Sequence, residues 1–283
     1  MFTSPAVLGF ILFAAGPMLA SLVMSFTNYS VIGDVKFIGF DNYTRLFTGE
    51  APFYFKSIMV TVYLVVLNVP LGIIGAFLVA LLLNNKVRGW SILRLVYYIP
   101  TIVPIVASAM IWMWMMNPDF GLLNYLLEEL HLPTSKWLFG EDSVIPSLVM
   151  MAVWSTGNIM VVFLAGLQGV PHHLFEAIEI DGGGTFRKLI HVTLPLMTPI
   201  IFFNAVMHMI ASMQTFLQAY IITDGGPNNS SLFYVYYLYR EAFTFQNIGG
   251  STAMAWVLFV GIATMTGLAF LTSKKWVFYE GDD

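Results

Sequence analysis

Six separate stretches of this chain are apolar over enough residues to cross a lipid bilayer, and they restrict the possible folds more than any other feature. A helix needs about 20 predominantly apolar residues to span the hydrocarbon core. The six stretches cover residues 5–26, 57–83, 95–116, 143–168, 196–222 and 249–273. The sequence therefore predicts an all-α membrane protein with six transmembrane helices.

The composition agrees with a membrane location. Of the 283 residues, 58% are hydrophobic and only 10% are charged. A domain of this composition would have too few polar residues to cover its surface in water. The first stretch lacks a preceding basic region and is longer than the apolar part of a signal peptide, so we expect it to be retained as a span. The chain contains no cysteine, which excludes disulfides and thiolate metal sites. The net charge of −4 argues against nucleic acid as a partner.

A charged segment, residues 176–199, lies between the fourth and fifth stretches. Just before it, Pro171 suits the first turn of a helix, where its missing N–H costs nothing. The spacing predicts a short helix from there, with one apolar face made by Leu174, Phe175 and Ile178.

The predicted short helix runs into three consecutive glycines, residues 182–184, directly after Asp181. Glycine permits positive φ, so this run predicts the end of the helix and a sharp reversal. Thr185 is a candidate cap for a second short helix. A plain solvated loop is the simplest interpretation of such a charged segment. The order of helix, reversal and helix favours instead a rigid protrusion, or knob, on the membrane surface, which another protein can bind.

The charged segment resembles a known motif. Its spacing matches the EAA loop of permease subunits of binding-protein-dependent ABC importers at Glu176, Ala177, Asp181, Gly182, Gly183, Leu194 and Pro195. Ile178 and Gly183 stand where alanine is common in that family. The chain looks most like the sugar-permease branch, of the maltose and glycerol-phosphate type. In the family this loop is the coupling helix, which docks into a cleft on a separate ATPase subunit. The resemblance therefore implies that these residues couple the chain to an ATPase.

Segments outside the loop also resemble the sugar-permease branch. They are Gly39–Tyr43 with Arg45–Phe47, Tyr98–Pro100 with Pro104, Gly121–Asn124, and Glu241–Phe243 with Gly249 and Ala253–Ala255. The resemblance covers essentially the whole chain. It implies one transmembrane domain, residues 1–283, of the type I ABC importer permease fold, with a cytoplasmic coupling loop at 169–195.

The distribution of basic residues favours one orientation in the membrane. Seven lie on the side of the charged segment, namely Lys86, Arg88, Arg94, Arg187, Lys188, Lys274 and Lys275. Five lie on the other side, namely Lys36, Arg45, Lys56, Lys136 and Arg240. The excess favours the first side as cytoplasmic. The resemblance implies the same, because a coupling loop faces the ATPase. Both termini are then cytoplasmic, in a multi-pass protein of the bacterial inner membrane.

Polar residues recur within the fifth stretch at a spacing of 4, 3, 4 and 3, which places them on one face of a continuous helix. They are Asn204, His208, Ala211 between them, Thr215 and Gln218, and the fourth stretch adds Ser155 and Asn158. Two interpretations stay open. These groups can hydrogen-bond to neighbouring spans and hold the helices together. They can also line a water-accessible substrate path, where neutral donors and acceptors suit sugar hydroxyls. Phe202, Met209 and Met213 are then expected to face lipid.

The sequence lacks the motifs of the common enzyme classes. It has no GxxxxGK[ST] loop for ATP, no HExxH and no GxSxG. The adjacent pair His172 and His173 would point about 100° apart on a helix, so we expect no metal site there. An alternative function is a membrane enzyme acting on lipid or glycan, with His208 or the loop carboxylates as acid–base groups. The charges lie in loops rather than at one depth, which favours a transporter.

The resemblance also implies partners. A second permease subunit would complete the pore, and we expect it to form a heterodimer with this chain. A separate ATPase dimer would bind ATP and Mg²⁺, leaving this chain without a cofactor of its own. An extracellular or periplasmic solute-binding protein would deliver a carbohydrate. Because the polar stripe carries no formal charge, we expect a neutral mono- or oligosaccharide.

Overall fold

The computed structural model describes residues 3–30, 33–84 and 89–278 of the chain. This part of the chain is helical, and within it only two isolated β-bridges form, with no strand. The main helices are α1 Ser4–Met24, α2 Asp41–Thr48, α3 Tyr54–Asn84, α4 Trp90–Ile102, α5 Ile105–Met115, α6 Leu122–Glu129, α7 Val144–Trp154, α8 Gly157–Gly169, α9 His172–Ile180, α10 Thr185–Met213, α11 Tyr234–Tyr239 and α12 Ile248–Ser273. Lys86 and Arg88, two of the basic residues that predict orientation, lie outside the described residues.

Four of these helices are long and apolar enough to cross a membrane: α1, α3, α10 and α12. Two further pairs qualify only when each bent pair is taken as one span. The pair α4–α5 bends by 99° and the pair α7–α8 by 49°. At the first bend, Val103 has extended backbone because the ring of Pro104 disfavours helical geometry in the residue before it. The described chain therefore holds four to six candidate spans, each overlapping one predicted stretch.

The helix of the fifth apolar stretch, α10, differs from its prediction at both ends. It begins at Thr185, so the predicted second short helix of the charged segment is continuous with the span. A π-helical turn at Leu189–Thr193 directly precedes Leu194 and Pro195. A single turn inside an α-helix is the form in which π-helix mostly occurs, and Pro195, just after this turn, has no N–H to donate to it. The helix ends at Met213, nine residues before the predicted end at 222, and the chain resumes as a separate π-helical turn at Ala219–Thr223.

The core is organised around α3, which has buried residues along its whole length and contacts α7, α8 and α10. One apolar cluster surrounds the half of α3 nearest the charged segment, where the rings of Phe77 and Phe163 meet edge to face at 5.4 Å. A second, larger cluster lies at the opposite end, around Tyr54, Trp112 and Tyr237. We call these two ends of the molecule the knob end and the cap end.

Two buried asparagines fasten the cap end, and both belong to segments that resemble the sugar-permease branch. Asn42 donates to the carbonyls of Ser25 and Thr27 over 2.9 and 2.8 Å. Asn124 donates to the carbonyl of Ser135 and accepts from the indole N–H of Trp137. Because buried amides need partners, these residues fix the loops between spans.

Candidate functional site

The charged segment folds into α9, a glycine turn and the first turn of α10, which together we call the knob. α9 follows Pro171, whose own backbone is extended, with φ −63° and ψ 128°. Gly182 has φ +74°, a left-handed conformation that glycine adopts without steric cost. The N–H of Gly183 donates to the carbonyl of Ile178 over 2.8 Å and so satisfies a free carbonyl at the helix end. The first helix and the reversal lie where the sequence predicts them.

The two positions where this chain departs from the common alanines are in contact. A Cβ added to Gly183 would collide with the side chain of Ile178. The larger residue at one position is therefore accommodated by the smaller residue at the other. The expected cap at Thr185 is wrong, because Thr185 is the first helical residue, Gly184 precedes it, and no side chain caps this helix end.

An ion pair and two apolar side chains define the knob surface. Lys188 on α10 pairs with Glu179 on α9 and so braces the two helices across the glycine turn. Ile180 and Phe186 project on either side of the turn and are 86% and 73% exposed. Of the residues predicted to couple to an ATPase, four are exposed: Glu176, Ala177, Asp181 and Gly182. The other three are half-buried: Gly183, Leu194 and Pro195.

The two bent spans meet at their bends. α4 and α8 each contain 13 residues between the knob end and the bend, so both bends lie about 20 Å from that end. The hydroxyl of Thr101 donates to the carbonyl of Ser155 over a long 3.4 Å. A Cβ on Gly157 would collide with Thr101, so the two helices approach closely only because this position is glycine.

A cavity of about 290 Å³ lies beside the paired bends, and we call it the bend cavity. Its polar lining consists of Thr101, Ser108, Ser155 and Gln218. The remaining lining is apolar, including Met151 and Ile222, and no charged residue of the described chain lines it. The structure thus brings together Ser155 and Gln218, two of the predicted substrate-path residues. Thr101 and Ser108 were not predicted, because nothing in a linear pattern shows that two helices bend at the same depth.

The rest of the predicted polar stripe does not form one continuous face. α10 ends at Met213, so the helical spacing that relates Asn204 and His208 to Thr215 and Gln218 is broken between them. That part of the prediction is wrong. Asn204 is buried and donates to the carbonyl of Ile200 in its own helix over 2.9 Å. Asn158, in the first turn of α8, is exposed, and Thr215 is half-buried.

His208 packs against α3 rather than facing open space. A Cβ on Gly72 would lie 2.6 Å from His208 Nε2, so the imidazole occupies the space that this glycine leaves. One turn further along α10, Ser212 accepts a hydrogen bond of 2.9 Å from the buried amide of Asn68. Both contacts join α10 to α3, which favours the helix-packing interpretation for this half of the stripe.

The lipid-facing side of this helix also differs from its prediction. Phe202 and Met213 are buried within the chain, at 5% and 8% exposure. The ring of Phe202 contacts Trp276, which follows α12 near the end of the described residues. Beyond Pro195, the exposed large apolar residues of α10 are Phe203 and Met207. Hydrophobicity alone could not separate these neighbours, because only the position of α12 decides which ones are covered.

Among the described residues, no three His, Asp or Glu side chains come together in a way that could hold a metal ion. Glu176, Glu179, His172 and His173 are each exposed on the surface of the knob.

Comparison with known proteins relates the chain to membrane transport components. Residues 68–276 match the family described as binding-protein-dependent transport system inner membrane component. The probable ABC transporter permease protein YesP of Bacillus subtilis is 39% identical, over 100% of this chain and 92% of its own length. The trehalose/maltose transport system permease protein MalF of Thermococcus litoralis is 32% identical, over 83% of this chain and 79% of its own length. A chain of the bacterial alginate ABC transporter, solved with an alginate pentasaccharide-bound periplasmic protein, shares the fold with a TM-score of 0.84, at 22% identity and with 97% and 93% of the two chains covered.

Proposed function

This chain belongs to the family of binding-protein-dependent transport system inner membrane components, and on that premise we propose that it is one permease subunit of an ATP-driven carbohydrate importer. The family predicted from the charged segment is confirmed. The observation that carries the substrate class is similarity to a permease named for trehalose and maltose. The relatives are transport permeases, so the chain is a transporter subunit without enzymatic activity of its own, and the membrane-enzyme alternative is set aside.

The proposal includes a topology of six spans, with each bent pair counted as one. α1 then runs from the knob end to the cap end, and α12 returns to the knob end. Both termini lie on the cytoplasmic side together with the knob, in a multi-pass protein of the bacterial inner membrane. The orientation is supported by the basic residues at the knob end, which include Arg94, Arg187 and Lys188.

The knob is the part of the chain that we propose docks on the ATPase. Its exposed apolar residues Ile180 and Phe186 offer area that a partner can bury. The ion pair between Glu179 and Lys188 and the close contact of Ile178 with Gly183 hold the two helices at one angle. Since α10 continues from the knob into the bilayer without an intervening loop, displacement of the knob moves the whole helix. ATP and Mg²⁺ belong to the ATPase subunits and not to this chain.

The bend cavity is the place where we propose that this chain contacts a sugar. Hydroxyl and amide groups of Ser155, Gln218, Thr101 and Ser108 can exchange hydrogen bonds with sugar hydroxyls, and the lining offers no charge for an acidic group. Helix breaks at bilayer depth are tolerated where they line a cavity. Asn158 and Thr215 complete the proposed path on the side that the second permease would close. His208 instead packs α10 against α3, and Asn204 is hydrogen-bonded within its own helix.

Co-purification tests this function. We expect the tagged chain to retain an ATPase, a second permease distinct from itself and a solute-binding protein. The solute-binding protein is then screened against neutral mono- and oligosaccharides, and ATP-dependent uptake of the sugar that binds is measured in proteoliposomes. The proposal would be contradicted if the chain purified without an ATPase, or if the solute-binding protein bound no carbohydrate.

A further inference from the structure

A second cavity of about 290 Å³ opens on the other side of Pro100, between α3, α4 and the α7–α8 pair. We call it the lateral cavity. Its lining is mostly apolar and includes Gly75, Val96, Tyr97 and Trp154. Val96, Tyr97 and Trp154 are each more than a third exposed, so the cavity opens outward between helices instead of being closed within the core.

A cation lies on α4 just before the residues that line this cavity, on the knob-end side. Arg94 is on α4, three residues before Tyr97, so the two side chains share a face of the helix. Val96 and Pro100 follow Arg94 by two and six residues, which places the cavity about 3–9 Å deeper in the membrane. The guanidinium of Arg94 stacks over the Trp90 ring at 3.2 Å. Tryptophan and arginine at the end of a span mark the level of the lipid headgroups.

The charge of Arg94 has no counterpart within the described chain. Its Nε is buried without a hydrogen-bond partner, and no carboxylate of residues 3–30, 33–84 or 89–278 lies within ion-pair distance. The terminal nitrogens of the guanidinium are not buried, so an anion from outside the chain can pair with them.

We propose that the lateral cavity binds one anionic phospholipid, with an acyl chain between α3, α4 and α8 and the headgroup phosphate on Arg94. An apolar cavity that opens at bilayer depth suits an acyl chain, and an unpaired guanidinium at headgroup level suits a phosphate. This assignment does not depend on carbohydrate transport, because it needs only the chain and a bilayer.

The position of the site gives the lipid a structural consequence. An acyl chain in the lateral cavity contacts Pro100 on α4 and Gly157 on α8, and both residues lie at the paired bends. An occupied site therefore supports the packing of the two bent spans from the side opposite the bend cavity.

Native mass spectrometry of the full chain, purified in detergent with the proteins that co-purify with it, tests the assignment. We expect one phosphatidylglycerol to be retained in preference to phosphatidylcholine. Arg94→Gln should reduce that preference by roughly fivefold, the equivalent of about 1 kcal/mol for one cation near the membrane surface. Lys275→Gln, a matched loss of charge at the knob end of α12, should leave it unchanged.

A second pair of variants tests the acyl-chain cavity. Val96→Trp fills it and should abolish retention of the lipid, whereas Leu95→Trp, on an exposed residue of the same helix that does not line the cavity, should not. Equal effects of Arg94→Gln and Lys275→Gln would overturn the assignment. So would the absence of retained phosphatidylglycerol, or a loss of the second permease with Val96→Trp, since the cavity would then hold a partner helix.

Discussion

The contact between Gly72 and His208 predicts how Gly72→Ala changes the stability of the chain. The sign of that change should depend on whether the imidazole is present. In Gly72→Ala the new Cβ starts 2.6 Å from His208 Nε2, and ordinary contact begins at 3.4 Å, so the imidazole or the helix must shift by about 0.8 Å. Overpacking of this kind costs about 1–3 kcal/mol. Against it stands a gain of about 0.5–1 kcal/mol, because alanine is better than glycine inside a helix. We therefore expect Gly72→Ala to destabilise the chain by up to about 2 kcal/mol.

Removing the imidazole should turn the same substitution into a stabilising one. In a His208→Ala background the new methyl group fills space, and only the gain of about 0.5–1 kcal/mol remains. The coupling energy of the double-mutant cycle should be about 1–3 kcal/mol, equal to the overpacking cost. Gly267→Ala in α12 is the matched control, since nothing lies within 4 Å of its Cβ position, and it should be neutral or stabilising.

Thermal unfolding of the detergent-purified chain gives the measurement. For a chain of this size class, 1 kcal/mol corresponds to about 2–4 °C in Tm. A lower Tm for Gly72→Ala alone and a higher Tm in the His208→Ala background would support the packing of α3 against α10. Equal Tm shifts in both backgrounds would refute it, because His208 would then not occupy the space beside Gly72.

Two further predictions concern the knob and the bend cavity. Gly182→Ala should lower ATP-driven uptake and destabilise the turn by about 1–2 kcal/mol, because Gly182 has a left-handed backbone with φ +74°. Gly184 has an ordinary φ of −83°, which alanine adopts without strain. Gly184→Ala is its control, and equal uptake and unfolding for the two variants would contradict a role for the left-handed turn. Cysteines introduced as Ser155→Cys and Gln218→Cys should react with a water-soluble thiol reagent in a chain that has no cysteine of its own, and bound sugar should protect them. Met213→Cys is the buried control, and labelling of all three at one rate would exclude the bend cavity as a water-accessible path.

The sequence by itself determined the features that depend on short stretches of chain. The length of each apolar stretch predicts a helix long enough to cross the bilayer, because hydrocarbon thickness sets that length. Gly182 after Asp181 predicts the end of α9, because few other residues adopt positive φ. The spacing from Glu176 to Pro195 was sufficient to predict the family.

The tertiary structure decided which of these features meet. Pro104 in the sequence marks an interruption, but the 99° bend and its contact with the bend at Ser155 depend on how α4 packs against α8. Periodicity placed Asn204 and His208 on one face of α10 without showing which neighbour covers that face. Gly72 on α3 lies 136 residues away in the chain, and it is the absence of a Cβ there that admits the imidazole. Contacts between distant helices depend on the shapes of both surfaces, and a pattern within one segment carries no information about the other.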